Sequence, residues 1–221
     1  MPTSITIQRT LHHMHTHATA RTIDGDVIVD ATGKTLAKWY RGNILFDELS
    51  AADFDGVPAL IAYPGTLAAG GYDAREPRNW MPAGRDAFEA MCAKVQPLLI
   101  DEGKQLWLCP HVRSVISDLP GAVKFLRAWS EQANCPFGLA YSTASLFEPS
   151  MLAAFDEHLE RQIVHLAACS RIVLIEDVQA CVSASGEKLF AIVPAGEGVA
   201  PLQLARSLIA EHVPAQVAIV G

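Results

Sequence analysis

Long apolar runs are missing from this 221-residue chain: the stretch around Val213 to Val220 is among the longest, and it falls far short of the ~20 residues that cross a bilayer. No transmembrane helix is expected. The first residues, MPTSITIQRTLHHMHTH, lack a basic start followed by an apolar run, so they do not read as a secretory signal, and a cytoplasmic location is expected. Basic charge is also scarce. With 17 Lys and Arg against 24 Asp and Glu, the formal net charge is -7, which leaves no cationic excess for a phosphate backbone or an anionic lipid surface. Nucleic acid and membrane are therefore excluded as expected partners. The five cysteines are an odd number with no two at CxxC spacing, which argues against a disulfide framework or a zinc knuckle. Most of them are expected to be buried small apolar side chains.

Hydrophobic residues are plentiful, at 50%, with 19% charged, enough for one sizeable core. From residue 57 onward short apolar runs alternate with helical periods, the pattern of βα units feeding a parallel sheet. Strands are predicted at Pro58 to Tyr63, Gln105 to Cys109, Phe137 to Tyr141, Arg171 to Glu176 and Ala215 to Val220. Helices are predicted over Gly84 to Ile100, after Asp118-Leu-Pro120, after Glu148-Pro-Ser150 and after Ala200-Pro201. The first 56 residues read differently: Ile5 to Leu11 alternates, Asp26 to Asp30 is a strand, Ala31 to Lys34 a turn, and Thr35 to Tyr40 returns as a hairpin. The expected fold class is therefore α/β, a TIM-barrel-like (β/α) repeat that is incomplete or trimmed. Residues 1–56 would form an N-terminal hairpin extension or the first barrel elements, and 57–221 the barrel-like domain. A complete (β/α)8 barrel typically takes about 250 residues, so a strand near Asn43 to Phe46 would help to supply missing staves.

In a parallel α/β fold reactive groups gather where strands end. That rule selects His111 and Arg113 after QLWLC, Ser142, Thr143 and Ser145 after FGLAY, and Glu176 and Asp177 at the end of RIVLIE. His111 is the acid/base candidate, Asp177 or Glu176 its partner carboxylate, and Arg113 an anchor for an anionic or hydroxyl-rich ligand. Glu176 and Asp177 are adjacent on a strand, so only one of them readily faces a pocket.

The segments LWLCPHVRSVISDLPGAVKFL, FGLAYSTASLFEPSML, RIVLIEDV and IVPAGEGVAPLQLARSLI, in that order, resemble the second half of the sugar phosphate isomerase/epimerase family, the xylose isomerase-like TIM barrels. The likeness covers residues 57 to 220. It implies a barrel that holds a divalent metal through carboxylates and histidines at strand ends and shifts a proton or hydride between adjacent sugar carbons. It also departs from that family in the metal ligands: Cys109 stands where a Glu is common, Ser142 and Ser145 replace Asp-x-x-His, Leu174 replaces a His, and the last strand lacks its usual Glu, while Pro110, His111 and Asp177 remain. Hydroxyls and a thiol are poor substitutes for the oxygen ligands of a hard cation. The stretch Ala195 to Gly198 matches the family's Gly-rich loop, which implies that Glu197 lies near the substrate.

One further cluster stands apart. In an extended chain His13, His15 and His17 share one face, a ligand-like geometry, and MHTHAT is similar to the His-x-His opening of PHP phosphoesterases and amidohydrolases. The leading expectation is a barrel that recognises, isomerises or epimerises a small polar, sugar-like metabolite, its usual metal ligands largely lost. The alternatives are a metal-dependent hydrolase built on the N-terminal histidines, and a non-catalytic binding or assembly protein. An incomplete barrel leaves faces or edges for a partner copy to cover, so a homo-oligomer is expected.

Overall fold

A computed structural model of the chain describes residues 18–23, 26–130, 134–183 and 186–221. The alternation of Ile5 to Leu11 and the histidines His13, His15 and His17 lie outside the described residues. Ten strands are described: β1 (Ala18–Ile23), β2 (Val27–Asp30), β3 (Thr35–Trp39), β4 (Ala59–Ala62), β5 (Gln105–Leu108), β6 (Phe137–Ser142), β7 (Ile172–Leu174), β8 (Glu176–Val182), β9 (Lys188–Pro194) and β10 (Ala218–Val220). The α-helices are α1 (Pro82–Asp101), α2 (Leu119–Ser130), α3 (Phe155–His165) and α4 (Leu202–His212).

Eight strands close a barrel in the order β1-β10-β7-β6-β5-β4-β3-β2. All neighbouring pairs are parallel except those of β2, which runs against both β1 and β3. The chain is thus a trimmed α/β barrel with one stave reversed. The reversal follows from the tight turn after β2, where Asp30 Oδ1 accepts from the Thr32 and Lys34 amides and Gly33 takes φ 85°. A turn of that length returns the chain beside itself, whereas a parallel neighbour needs a crossover. A crossover helix stands between β4 and β5, β5 and β6, β6 and β7, and β9 and β10.

The predicted stave at Asn43 to Phe46 is a turn instead. The Phe46 and Asp47 amides both donate to the Asn43 carbonyl, and the Asn43 side chain donates to the Thr66 carbonyl and accepts from the Thr66 amide, which fixes it beside the following loop. The strand predicted over Arg171 to Glu176 is broken at Ile175. Its second part leaves the barrel as the β8–β9 antiparallel pair, a two-stranded sheet absent from the expected fold.

Alternation sorts the side chains into two cores. Ile28, Ala37, Ile61, Cys109, Ala140, Ile172 and Leu174 pack inside the barrel, while Leu60, Leu106, Leu139 and Val173 face outward against Phe88, Leu99, Leu159 and Ile163 of the helices. Of the five cysteines, Cys92 and Cys109 are buried as expected; Cys135 and Cys181 are half-buried and Cys169 is exposed. No helix among the described residues is long and apolar enough to cross a membrane.

Candidate functional site

The carboxyl ends of β3 to β7 open toward one mouth, and the β8–β9 hairpin lies across it. Ile192 of β9 and Tyr63, the residue that follows β4, line two adjoining cavities there. The larger, about 630 Å³, is walled by Trp39, Arg41 and Glu176; the smaller, about 340 Å³, by Tyr72, His111 and Arg113.

Glu176 opens β8 and is held from two sides. Its amide donates to Thr143 Oγ1 at 2.9 Å, and Ser142 Oγ donates to its Oε2 at 2.5 Å. The direction of that second bond is set because Ser142 Oγ already accepts the amides of Ala144 and Ser145 at 3.1 and 3.2 Å. Burial pushes the Glu176 carboxyl above the usual carboxylate range, against the opposing pull of the Ser142 hydrogen bond and the Arg41 charge. Cys109 and Tyr63, its electrostatic neighbours, are likewise driven upward by burial and stay protonated at neutral pH. Cys109 Sγ lies 3.8 Å from Ser145 Oγ, which in turn donates to the Pro110 carbonyl at 2.6 Å. Burial thus shifts all three groups of the inner mouth toward their neutral forms.

Asp177 points the other way. It is 1% exposed and accepts four amides: Val178 at 2.8 Å and Ala200 at 2.7 Å on Oδ1, Gly196 at 3.2 Å and Gly198 at 3.0 Å on Oδ2. Burial alone would raise its pKa, but the four donors outweigh it and hold the carboxyl below its ordinary value. Two of those amides, Gly196 and Gly198, belong to the Gly-rich loop, so the loop is closed on Asp177, and Glu197 is exposed on it.

His111 sits between aromatic rings, with centroids 4.5 Å from Tyr63 and 5.4 Å from Tyr72. Its Nδ1 accepts the Arg113 amide at 3.1 Å, so the proton of the neutral ring resides on Nε2. Burial, aided by the Arg113 charge, lowers its pKa to about 4. Arg113 is 3% exposed, and its Nη2 donates to Glu187 Oε1 at 3.0 Å.

The structure thus brings Glu176 and Ser142 together at one cavity and places His111 and Arg113 at the next, with Tyr63 between. Ser145 braces the floor through Pro110. Asp177 lines neither cavity. Sequence reasoning passed over Tyr63, Tyr72, Trp39 and Arg41. Tyr63 and Arg41 were legible in principle, since each continues the inward alternation one step past its strand, from Ile61 and Trp39.

The donor set does not fit the divalent ion implied by the resemblance. Among the described residues no group of three His, Cys, Asp or Glu side chains converges as ligands. A hard cation asks for several ionised oxygens, and the larger cavity supplies one side-chain carboxyl, which burial pushes toward its neutral form, beside a protonated thiol.

No protein-family model and no curated protein matches the sequence. Solved structures do. The chain is similar to the probable 3-DHS dehydratase AsbF of Bacillus anthracis, involved in petrobactin synthesis, with 9% identity and a TM-score of 0.52 over 83% of this chain and 67% of that one. It is also similar to a xylose isomerase domain protein of Planctomyces limnophilus, with 12% identity and a TM-score of 0.49 over 75% of this chain and 52% of that one. For the 3-keto-D-glucoside 4-epimerase YcjR of E. coli the values are 12% identity and 0.44, over 75% and 57%. The chain spans about half to two-thirds the length of these structures. At such identity the likeness is one of fold alone, an α/β barrel.

Proposed function

We propose that this trimmed barrel binds a small hydroxyl- and carbonyl-bearing, sugar-like metabolite beside Glu176 and shifts a proton on it without a divalent ion. Because one fold hosts many reactions, the reading rests on the site. The observation that carries it is a single carboxyl with a raised pKa, its Oε2 fixed by Ser142, in the wall of a cavity of about 630 Å³ that also holds Arg41. That volume lies within the ordinary range for small-molecule sites.

A carboxyl whose pKa is raised by burial is a stronger base when ionised than a solvated one, and it holds its proton more readily for return, so it can serve both directions of a proton shift. Its ionised form takes the proton from the carbon beside the carbonyl. An enediolate forms, the Arg41 guanidinium balances the charge on its oxygen, and Glu176 returns the proton to the same carbon, or to the neighbouring carbon as the hydroxyl proton passes from one enediolate oxygen to the other. Ser142 is a positioning residue: it aims the carboxyl through one oxygen and leaves the other free for the ligand.

Incubating the full chain with aldoses and ketoses in D2O, after treatment with EDTA, tests this. Deuterium is expected beside the carbonyl in the proton NMR spectrum, and Glu176→Gln is expected to slow its entry about 100-fold or more. The amide still donates and accepts hydrogen bonds, so binding heats should survive that substitution. Exchange that disappears with EDTA, or that Glu176→Gln leaves untouched, would overturn the reading.

A further inference from the structure

Two buried polar atoms at the smaller cavity have no hydrogen-bond partner: Nη1 of Arg113 and Oη of Tyr72. Buried polar groups are overwhelmingly paired, and an orphaned guanidinium nitrogen on a side chain 4% exposed is costly unless something occupies the space beside it. The amide of Gly65 influences the Tyr72 hydroxyl, but an amide only donates, so the phenol proton has no acceptor.

The other terminal nitrogen of Arg113 is already engaged. Its Nη2 donates to Glu187 Oε1, which also takes Arg75 Nε at 3.3 Å, and Arg75 Nη2 reaches Glu148 Oε1 at 3.0 Å. Two guanidiniums thus face two carboxylates. In the residues that wall the smaller cavity, three donors remain without acceptors: Arg113 Nη1, Tyr72 Oη and the Nε2 proton of neutral His111. An acceptor-rich group completes them.

We propose that this cavity receives a carboxylate of the ligand, on Arg113 Nη1 with Tyr72 and His111 as further donors. The substrate class is then a sugar acid whose hydroxyl- or carbonyl-bearing end lies across Tyr63 and Ile192, beside Glu176. This deepens the function proposed above and rests on it for that second end only. Charge selects a carboxylate over a phosphate: with Glu148 and Glu187 balancing the two arginines, the exposed Asp73 at the same cavity leaves the surroundings negative, which a monoanion tolerates and a dianion does not.

The test uses acetate as the minimal probe, inorganic phosphate as the competitor and sodium chloride at matched ionic strength as the control, read by the unfolding midpoint of the full chain. Acetate is expected to raise the midpoint saturably and to bind more tightly than phosphate. Tyr72→Phe should weaken acetate about fivefold, and Arg113→Gln more. Glu187→Gln should tighten it, by removing the carboxylate that shares Arg113. Glu176→Ala should leave acetate binding intact, which separates this site from the proton-shift site: acetate bound without sugar exchange sinks only the earlier reading. No saturable effect beyond chloride, tighter phosphate binding, or an acetate affinity unmoved by Tyr72→Phe would overturn the carboxylate site. Tyr72→Phe removes one oxygen atom, so it keeps the test decisive even where Arg113→Gln fails to fold.

Discussion

Glu176 and Asp177 are neighbours in the chain with opposite physical fates. Successive side chains on a strand point to opposite faces, so one carboxyl enters the mouth, where burial raises its pKa, and the other enters a ring of four amides, which lowers it. Removing the second should cost structure before chemistry. Asp177→Ala strips acceptors from the amides of Val178, Gly196, Gly198 and Ala200 and should destabilise the fold by about 2–4 kcal/mol, seen as a lower urea midpoint with an unchanged slope. Asp177→Asn keeps one acceptor oxygen and with it two of the four bonds, so roughly half that loss is expected. Equal losses for the two substitutions would mean that the amides do not depend on the carboxylate. The pair was legible from the sequence, because it ends an apolar run. Which member faces the cavity was not, because that depends on the break at Ile175, where the strand turns out of the barrel.

At the scale of elements, the mouth is shaped by two pieces that belong to no stave: the β8–β9 hairpin and the loop from β9 to α4. The hairpin pairs only with itself, and it closes through a turn in which Ser183 and Glu187 bond and Gly186 takes φ 83°. Both strands and a Gly-bearing turn are written in VQACVSASGEKLFAIV, yet the continuous run RIVLIE conceals where the barrel strand ends and the hairpin begins. The parallel staves β4 to β7 and the four helices were readable because each apolar run is bounded by its own breaker. The second loop is held at Gly198, where a Cβ would collide with the Val178 carbonyl oxygen and with Asp177. Gly198→Ala is therefore expected to destabilise by about 1–3 kcal/mol. Hydrogen exchange should also quicken at the Gly196, Gly198 and Ala200 amides, which the displaced carboxylate no longer protects. Slow exchange there in the variant would show that the loop is held by something else.

Burial shifts two groups at the mouth, His111 and Glu176, toward their neutral forms, and the stability of the whole molecule should carry that signature. His111 titrates near 6.5 when unfolded and near 4 when folded, so the unfolded chain binds more protons between those values. Stability is then fully present above pH 6.5 and falls as pH drops toward 4, by up to about 3 kcal/mol. Glu176 acts in the opposite sense: its folded pKa lies above 4.5, so the unfolded chain releases its proton first and stability falls as pH rises from 4.5 through the folded value. The two slopes oppose each other in mildly acid solution, and a profile of the unmodified chain alone would conceal both. Urea unfolding from pH 4 to 8 resolves them by comparison. His111→Gln should gain on the unmodified chain as pH falls below 6.5, and Glu176→Gln should gain on it as pH rises above 5. Profiles that run parallel for all three proteins would mean that neither group is held neutral by the fold. The mouth would then lack the low-dielectric character on which a metal-free proton shift depends.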